Sequence, residues 1–251
     1  MIGAFFQRFW EAVRDGVRLW WLAPIIPLIA ALPEMVQHVA EVKMGMFASK
    51  EAFQTLAMDP TRWAFGYGKI AGLFIAIVAA LLFWANRERG ARWWNLRGIL
   101  WGAVLGSVAL QVIVGLAGEK ITKAVPGLAG QAANLALSLA TLPLIVWFIG
   151  GVVGDRAMTL AASYRRGWLP LLRIVVFLGL PYLLLMGIHM GDHYLAFGQS
   201  PAVVWALMIW DSLIVGTMAA LMGTALHHGY RPLGSGGHSG PVSQPDAMGA
   251  I

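Results

Sequence analysis

The sequence predicts an all-α polytopic membrane protein, a bundle of about six transmembrane helices set out as three hairpins with both termini in the cytoplasm. Three observations carry this reading. Of 251 residues, 59% are hydrophobic and only 12% are charged, with a mean hydropathy of +0.69. A soluble domain covers its surface with about twice that charge. Six apolar stretches of near-spanning length follow one another, and Lys and Arg are shared unequally between the two sets of loops that separate them. The 12 Trp agree, because amphipathic rings settle at the membrane–water boundary.

Residues 1–18 come first. Phe5, Phe6, Phe9, Trp10, Val13 and Val17 fall on one helical face, and Arg8, Glu11, Arg14, Asp15 and Arg18 on the other. This pattern suits a helix lying in the membrane interface, or a cytoplasmic extension of the first span. The apolar run from Leu19 to Pro33 has the basic lead of a signal peptide. No small-x-small site follows it, and Pro24, Pro27, Pro33 and Glu34 interrupt it, so a retained helix is expected.

The six spans are placed near 19–41, 69–86, 98–117, 131–154, 169–188 and 201–226, within a transmembrane domain of 19–228. A span takes about 20 residues to cross roughly 30 Å of hydrocarbon. The first is the shortest in its uninterrupted part, and tilt or local thinning reconciles it. With the N-terminus inside, the inner segments hold 12 of the basic residues, all Arg, and the outer ones hold 6. The bias favours this orientation, and a cell inner membrane is the expected location. Residues 229–251, rich in Gly, Ser and Pro, read as a disordered cytoplasmic tail.

Arg and Trp stand together ahead of each odd-numbered span, in 8–21, 89–101 and 164–173. The recurrence suggests three hairpins, each led by an interfacial segment, or simply the attraction of inner boundaries for these residues. The third occurrence, Ala161 and Ala162 followed by Ser163-Tyr164-Arg165-Arg166-Gly167-Trp168, resembles the turn before a helix in bacterial six-helix inner-membrane proteins related to the membrane domain of glycerophosphodiester phosphodiesterases. The resemblance covers that turn, the helix number and the hairpin layout. It implies a membrane protein without catalytic residues of its own.

Small residues mark packing faces. Gly98, Gly102 and Gly106 recur at every fourth position, which lets another helix of this chain or of a second subunit approach closely. Gly150 and Gly154, Gly216 and Ala220, and Ala219 and Gly223 repeat the device. The prolines of the first span free backbone carbonyls, so that span either walls a cavity or is a kinked structural helix.

The polar residues inside the spans carry the functional expectations. Asp211 lies ten residues into the last span, where a carboxylate costs a few kcal/mol unless protonated, paired or wetted. It reads as a proton, cation or substrate contact, or as a protonated packing group bonded to Gln111, Ser212 or a carbonyl. Glu34, His38 and Glu41 share one face at the outer end of the first span. His189, Asp192 and His193 share one at the outer end of the fifth. Imidazoles and carboxylates together would suit Zn²⁺ or a similar divalent ion, or a pH-sensitive patch. Lys69 and Asp155 are expected to snorkel to the interface, and His227 and His228 to cap the last span at the head groups.

Phosphate-loop, nucleophile-elbow and HExxH signatures are absent, and no Cys is present for a thiolate site or disulfide. No catalytic set and no resident cofactor is predicted, with a divalent metal as the alternative. The net charge of +6 points to anionic lipid heads as partners; no soluble basic domain exists for nucleic acid. Three functions remain: transport or lipid and small-molecule handling through a polar cavity that includes Asp211, Gln111 and Glu34; a non-catalytic accessory subunit of a membrane complex, or a homo-oligomer; and a metal-dependent membrane enzyme using the outer cluster.

Overall fold

The computed structural model describes residues 2–233, which are helical throughout apart from connecting turns and loops. Six spans are long and apolar enough to cross a membrane, and consecutive ones pack as three hairpins. This chain is a multi-pass membrane protein.

Helix α1 runs Ile2–Leu22 and ends where Pro24, which lacks an N–H, turns the chain. Its inner face is only in part the aromatic one: Phe5, Phe9 and Val13 pack against the core. Arg8, Ala12, Gly16 and Leu19 form the buried stripe, while Phe6 and Trp10 face outward. The small residues matter here: a Cβ on Gly16 would lie 2.6 Å from Leu221 Cδ2.

Helix α2 (Ile25–Lys43) is the first span, and Pro33 lies inside it. The short α3 (Lys50–Leu56) follows, with Ser49 Oγ accepting from the Ala52 N–H at 3.1 Å. The second span, α4, runs Pro60–Glu88 and starts nine residues before the expected position of 69. The reason is local: Asp59 accepts from the Thr61 N–H at 2.7 Å, and Pro60 takes the first helical position.

Residues 89–100 are not helical. They are held by Asn86 Nδ2, which donates to the Trp93 and Asn95 carbonyls, each at 3.0 Å. Gly98 therefore lies outside α5 (Trp101–Ala124). The glycine stripe expected at 98, 102 and 106 is not one packing face. A Cβ at Gly102 meets nothing within 4 Å, whereas Gly106 lies under the Trp147 ring, and Gly98 faces the Arg89 guanidinium.

The fourth span is broken into α6 (Leu128–Ala140) and α7 (Pro143–Val153), because Pro143 cannot continue the ladder. Gly154 at φ 75° ends α7 in the left-handed conformation and packs on the Gly98 carbonyl, whereas Gly150 faces Met158 and Tyr230, so the two do not share one packing face. Helix α8 (Leu160–Arg166), capped by Thr159, leads into α9 (Trp168–Ala196), and α10 (Pro201–Tyr230) closes the chain. Gly229 and Tyr230 thus belong to α10 and not to the tail; residues 234–251 lie outside those described. The three Arg/Trp entries take three forms: a long helix, an irregular turn and a short helix.

Helix α10 is the axis of the molecule, packed by α1, α2, α4 and α9. Its small residues set the spacing. A Cβ on Gly223 would fall 2.2 Å from the Ile77 carbonyl oxygen, and one on Gly216 would fall 2.9 Å from that of Pro27. Two indoles close the same seam: Trp20 Nε1 donates to Thr217 Oγ1 and Trp84 Nε1 to Thr224 Oγ1, each at 2.9 Å. Helices α5 and α6 stand to the side, in contact mainly with each other and α7.

Candidate functional site

Four helices bring ionisable side chains to one place, in the half of the bundle that the Lys and Arg bias assigns to the outside. On α2, spacings of four and three put Glu34, His38 and Glu41 on the inward face. On α9, which runs on to Ala196, His189, Asp192 and His193 are helical and buried, as their spacing suggested. Helix α10 contributes Asp211, and α4 contributes Arg62 and Lys69.

Asp211 joins the two groups that sequence spacing kept apart. Its Oδ2 lies 2.8 Å from His38 Nε2 and its Oδ1 lies 2.7 Å from His189 Nδ1. Glu34 Oε1 is 3.3 Å from the same His38 nitrogen. On the other side of that ring, Nδ1 is 2.9 Å from Glu41 Oε2. His193 Nδ1 donates to the His189 carbonyl at 2.8 Å, and the His189 and His193 rings are 4.8 Å apart. The outer end is closed by ion pairs: Lys69 Nζ to Glu34 Oε1 and Arg62 Nε to Glu41 Oε1, both at 2.8 Å. Gln37 Nε2 donates to Glu41 Oε1 at 2.7 Å.

Burial makes these distances consequential. Glu34, His38, Glu41 and Asp211 are each 0% exposed. Charge held in such a place requires near-complete compensation. Yet Glu34 Oε2 and Asp192 Oδ2 are buried with no hydrogen-bond partner among the described residues. With the imidazoles counted as neutral, the four carboxylates outnumber the Arg62 and Lys69 cations by two. His38 states the need most directly. If its Nδ1–H is donated to Glu41, Nε2 faces two carboxylate oxygens, and something positive, a proton or a metal ion, belongs between them.

The donor set fits a divalent ion. Three groups have ligand atoms mutually within 4.8 Å: Glu34, His38 and Asp211; His189, His193 and Asp211; and His38, Glu41 and His193. Histidine ligands generally donate their second ring N–H to a carboxylate or carbonyl, which fixes the tautomer and aims the other nitrogen. Glu41 does this for His38, and the His189 carbonyl does it for His193.

Several expectations are corrected here. Gln111 does not meet Asp211; it lines a cavity of about 430 Å³ beside Phe74, Ser107 and Phe148, away from the cluster. Lys69 turns inward to Glu34 instead of snorkelling. Asp155 accepts from Tyr230 Oη at 2.6 Å. His227 and His228 are buried, not laid against head groups: His227 Nε2 is 3.4 Å from Glu88, which also pairs with Arg231, and His228 Nε2 is 3.3 Å from Asp15. Ser212 does hydrogen-bond, but to the Met208 carbonyl and to Met35 Sδ on α2, not to Asp211.

Arg62, Lys69 and Gln37 were not among the residues singled out for the site. The signal that would have found the first two is Asp59-Pro60, a helix start that carries both onto the face of α4 packed on α2.

No protein family, no curated protein and no solved structure matches this chain.

Proposed function

We propose that this membrane protein binds a divalent transition-metal ion among His38, His189, His193, Asp211 and Glu34, in the outer half of the bilayer, and works from that side. Of the three functions that composition and motifs left open, this is the metal-dependent one. The observation that carries it is the convergence of imidazole and carboxylate donors from three helices in a dry interior, with Glu34 Oε2 and Asp192 Oδ2 lacking partners. A bound ion of this class polarises substrate oxygens and lowers the pKa of water from 15.7 to about 7, so metal-assisted hydrolysis at the outer leaflet is the reaction the donors suit.

Metal analysis of protein purified without chelators tests the reading. Retained zinc, manganese or iron that is lost in His189→Ala and His193→Ala is the expected result. Metal-free wild-type protein that also takes up none of these ions on titration would end it.

Proton- or cation-coupled transport is the second reading. It is favoured by the other buried histidines, His227 and His228, at the opposite end of the same helix. Against it stands the interval between the two groups, roughly 24 Å of helix at 1.5 Å per residue, packed by Ile214, Val215, Met218 and Ala219. If transport is the function, Asp211→Asn abolishes flux in vesicles while the protein remains folded.

A further inference from the structure

We infer that the centre is dinuclear, with Asp211 as a carboxylate bridge between two divalent ions. The inference rests on the metal-binding reading above and names the form that the site takes.

The first reason is the number of donors. A structural or catalytic zinc ion takes about four ligands. Here Glu34, His38, Glu41, His189, Asp192, His193 and Asp211 are all buried within one region. One ion would meet one of the two unpartnered carboxylate oxygens, Glu34 Oε2 or Asp192 Oδ2, and leave the other desolvated, which is the costly arrangement.

The second is how the donors divide. Glu34, His38 and Asp211 form one set, and His189, His193 and Asp211 form another. Those two share Asp211 and nothing else, while His38, Glu41 and His193 form a third set that takes one histidine from each. Asp211 presents a different oxygen to each of the first two: Oδ2 to His38 Nε2 at 2.8 Å and Oδ1 to His189 Nδ1 at 2.7 Å. A carboxylate spanning two metals uses its two oxygens in this way, and two-metal sites in general hold their ions about 3.5–4 Å apart.

The third is that an unpartnered buried oxygen lies on each of two helices. Glu34 Oε2 belongs to the first set, and Asp192, three residues from His189 on α9, carries Oδ2 on the same helical face as that histidine. Helices α2 and α9 thus carry the same short pattern, His38-x-x-Glu41 and His189-x-x-Asp192, on the first helices of the first and third hairpins. In carboxylate-bridged helical centres, helices likewise supply a carboxylate and a His three residues apart. Here Glu41 plays the orienting part for His38 through Nδ1, with Arg62 behind it.

Two divalent ions turn the local excess of two negative charges into an excess of two positive ones. The filled centre is therefore completed by hydroxide or by an anionic group, and Lys69 and Arg62 stand at its outer end.

Manganese gives a direct test. Full-length protein in detergent is stripped of metal, equilibrated with Mn²⁺ and desalted. Bound metal is then counted by mass spectrometry, and the spin state is read by electron paramagnetic resonance. The expected result is two ions per chain with a spin-coupled signal. Glu34→Gln and His193→Gln, which preserve side-chain size, should each retain one ion and give the signal of isolated Mn²⁺. Asp211→Asn should lose the coupling and at least one ion. If Asp211→Asn does not fold, the two other variants still decide the matter. One ion per chain in the wild type, with no coupling, overturns the dinuclear centre and leaves the metal-binding reading standing. No bound ion overturns both.

Discussion

Helices α5 and α10 are equally apolar and are treated very differently by the fold. The mean hydropathy of the best window is 1.7 in each, yet 50% of that window is buried in α10 and 11% in α5. Hydrophobicity decides that both enter the membrane and nothing about which becomes the axis, because lipid tails are as apolar as leucine. What separates them is the remaining chemistry. Helix α10 offers Gly216 and Gly223 for backbone approach, Thr217 and Thr224 for indole N–H groups, and Asp211 for two imidazoles. Helix α5 has Gly102, against which nothing packs, and a row of lipid-facing residues that includes Leu105, Val112, Ile113 and Leu116.

The largest effect should come from emptying the polar knot. Asp211→Ala removes the shared partner of His38 and His189 and leaves both rings, with Glu34 and Glu41, in a dry interior. Breaking a buried ionic contact on one side costs about 3–5 kcal/mol. Reversible unfolding of the variant in mixed micelles should show a loss of that order. A loss below about 1 kcal/mol, the range of exposed pairs, would mean that the cluster contributes little to the position of α10.

The glycines sharpen the same contrast. Gly223→Val pushes a branched side chain into the Ile77 carbonyl and Ala80, with no free space to take it. Overpacking of this kind typically costs about 1–3 kcal/mol. Gly102→Val adds the same atoms where nothing lies within 4 Å, and should change stability by less than about 0.5 kcal/mol, as lipid-facing positions do. Equal destabilisation by the two would show that α5 has a partner surface in the membrane. That result would favour the accessory-subunit or oligomer reading of this chain.

Much of this was legible in the sequence, and the rest was not, for definable reasons. Span number, hairpin layout and the inward face of Glu34, His38 and Glu41 follow from length and from i, i+4 spacing, which local geometry alone enforces. The Gly216 and Gly223 faces were legible for the same reason. The union of Asp211 with the outer histidines was not. It depends on α9 continuing eight residues beyond 188 and on the relative heights of α2, α9 and α10, which no single-helix pattern encodes. The stripe at Gly98, Gly102 and Gly106 misled for a related reason: a repeat of small residues reports that close packing is permitted, not that a neighbour is there. Lys69 was misread because a Lys near a span end normally snorkels, and only the earlier start of α4 places it a full two turns inside, opposite Glu34.

The indole–threonine bonds should give a smaller signal. A double-mutant cycle on Trp84→Phe and Thr224→Val removes the 2.9 Å bond while keeping most of the packing. Inter-helix hydrogen bonds in membranes average about 0.6 kcal/mol, and the coupling should fall near that value. A coupling above about 2 kcal/mol would exceed the largest such bond measured and assign the α4–α10 seam more to polar contacts than to its glycines.

The smallest expected effect lies at the inner end, where α1 meets α10. Asp15 is raised by partial burial, but the His228 imidazole beside it, with Arg14 and Arg18, outweighs that and holds its carboxyl below the ordinary 3.8. A depressed carboxylate pKa adds stability that is fully present above the ordinary value and is lost as pH falls through the lowered one. Wild type should therefore exceed Asp15→Asn in stability at pH 6, with the gap closing as the pH drops below about 4, near the ordinary value for Asp. Half-buried ion pairs at a membrane surface are screened, so the gap should stay at about 0.3 kcal/mol. Unfolding midpoints for the two proteins over this range give the comparison. A gap that persists unchanged at pH 2 would mean that Asp15 fastens α1 to α10 through shape and hydrogen bonding and not through charge. The inner end would then differ in kind from the Asp211 knot at the outer end of the same helix.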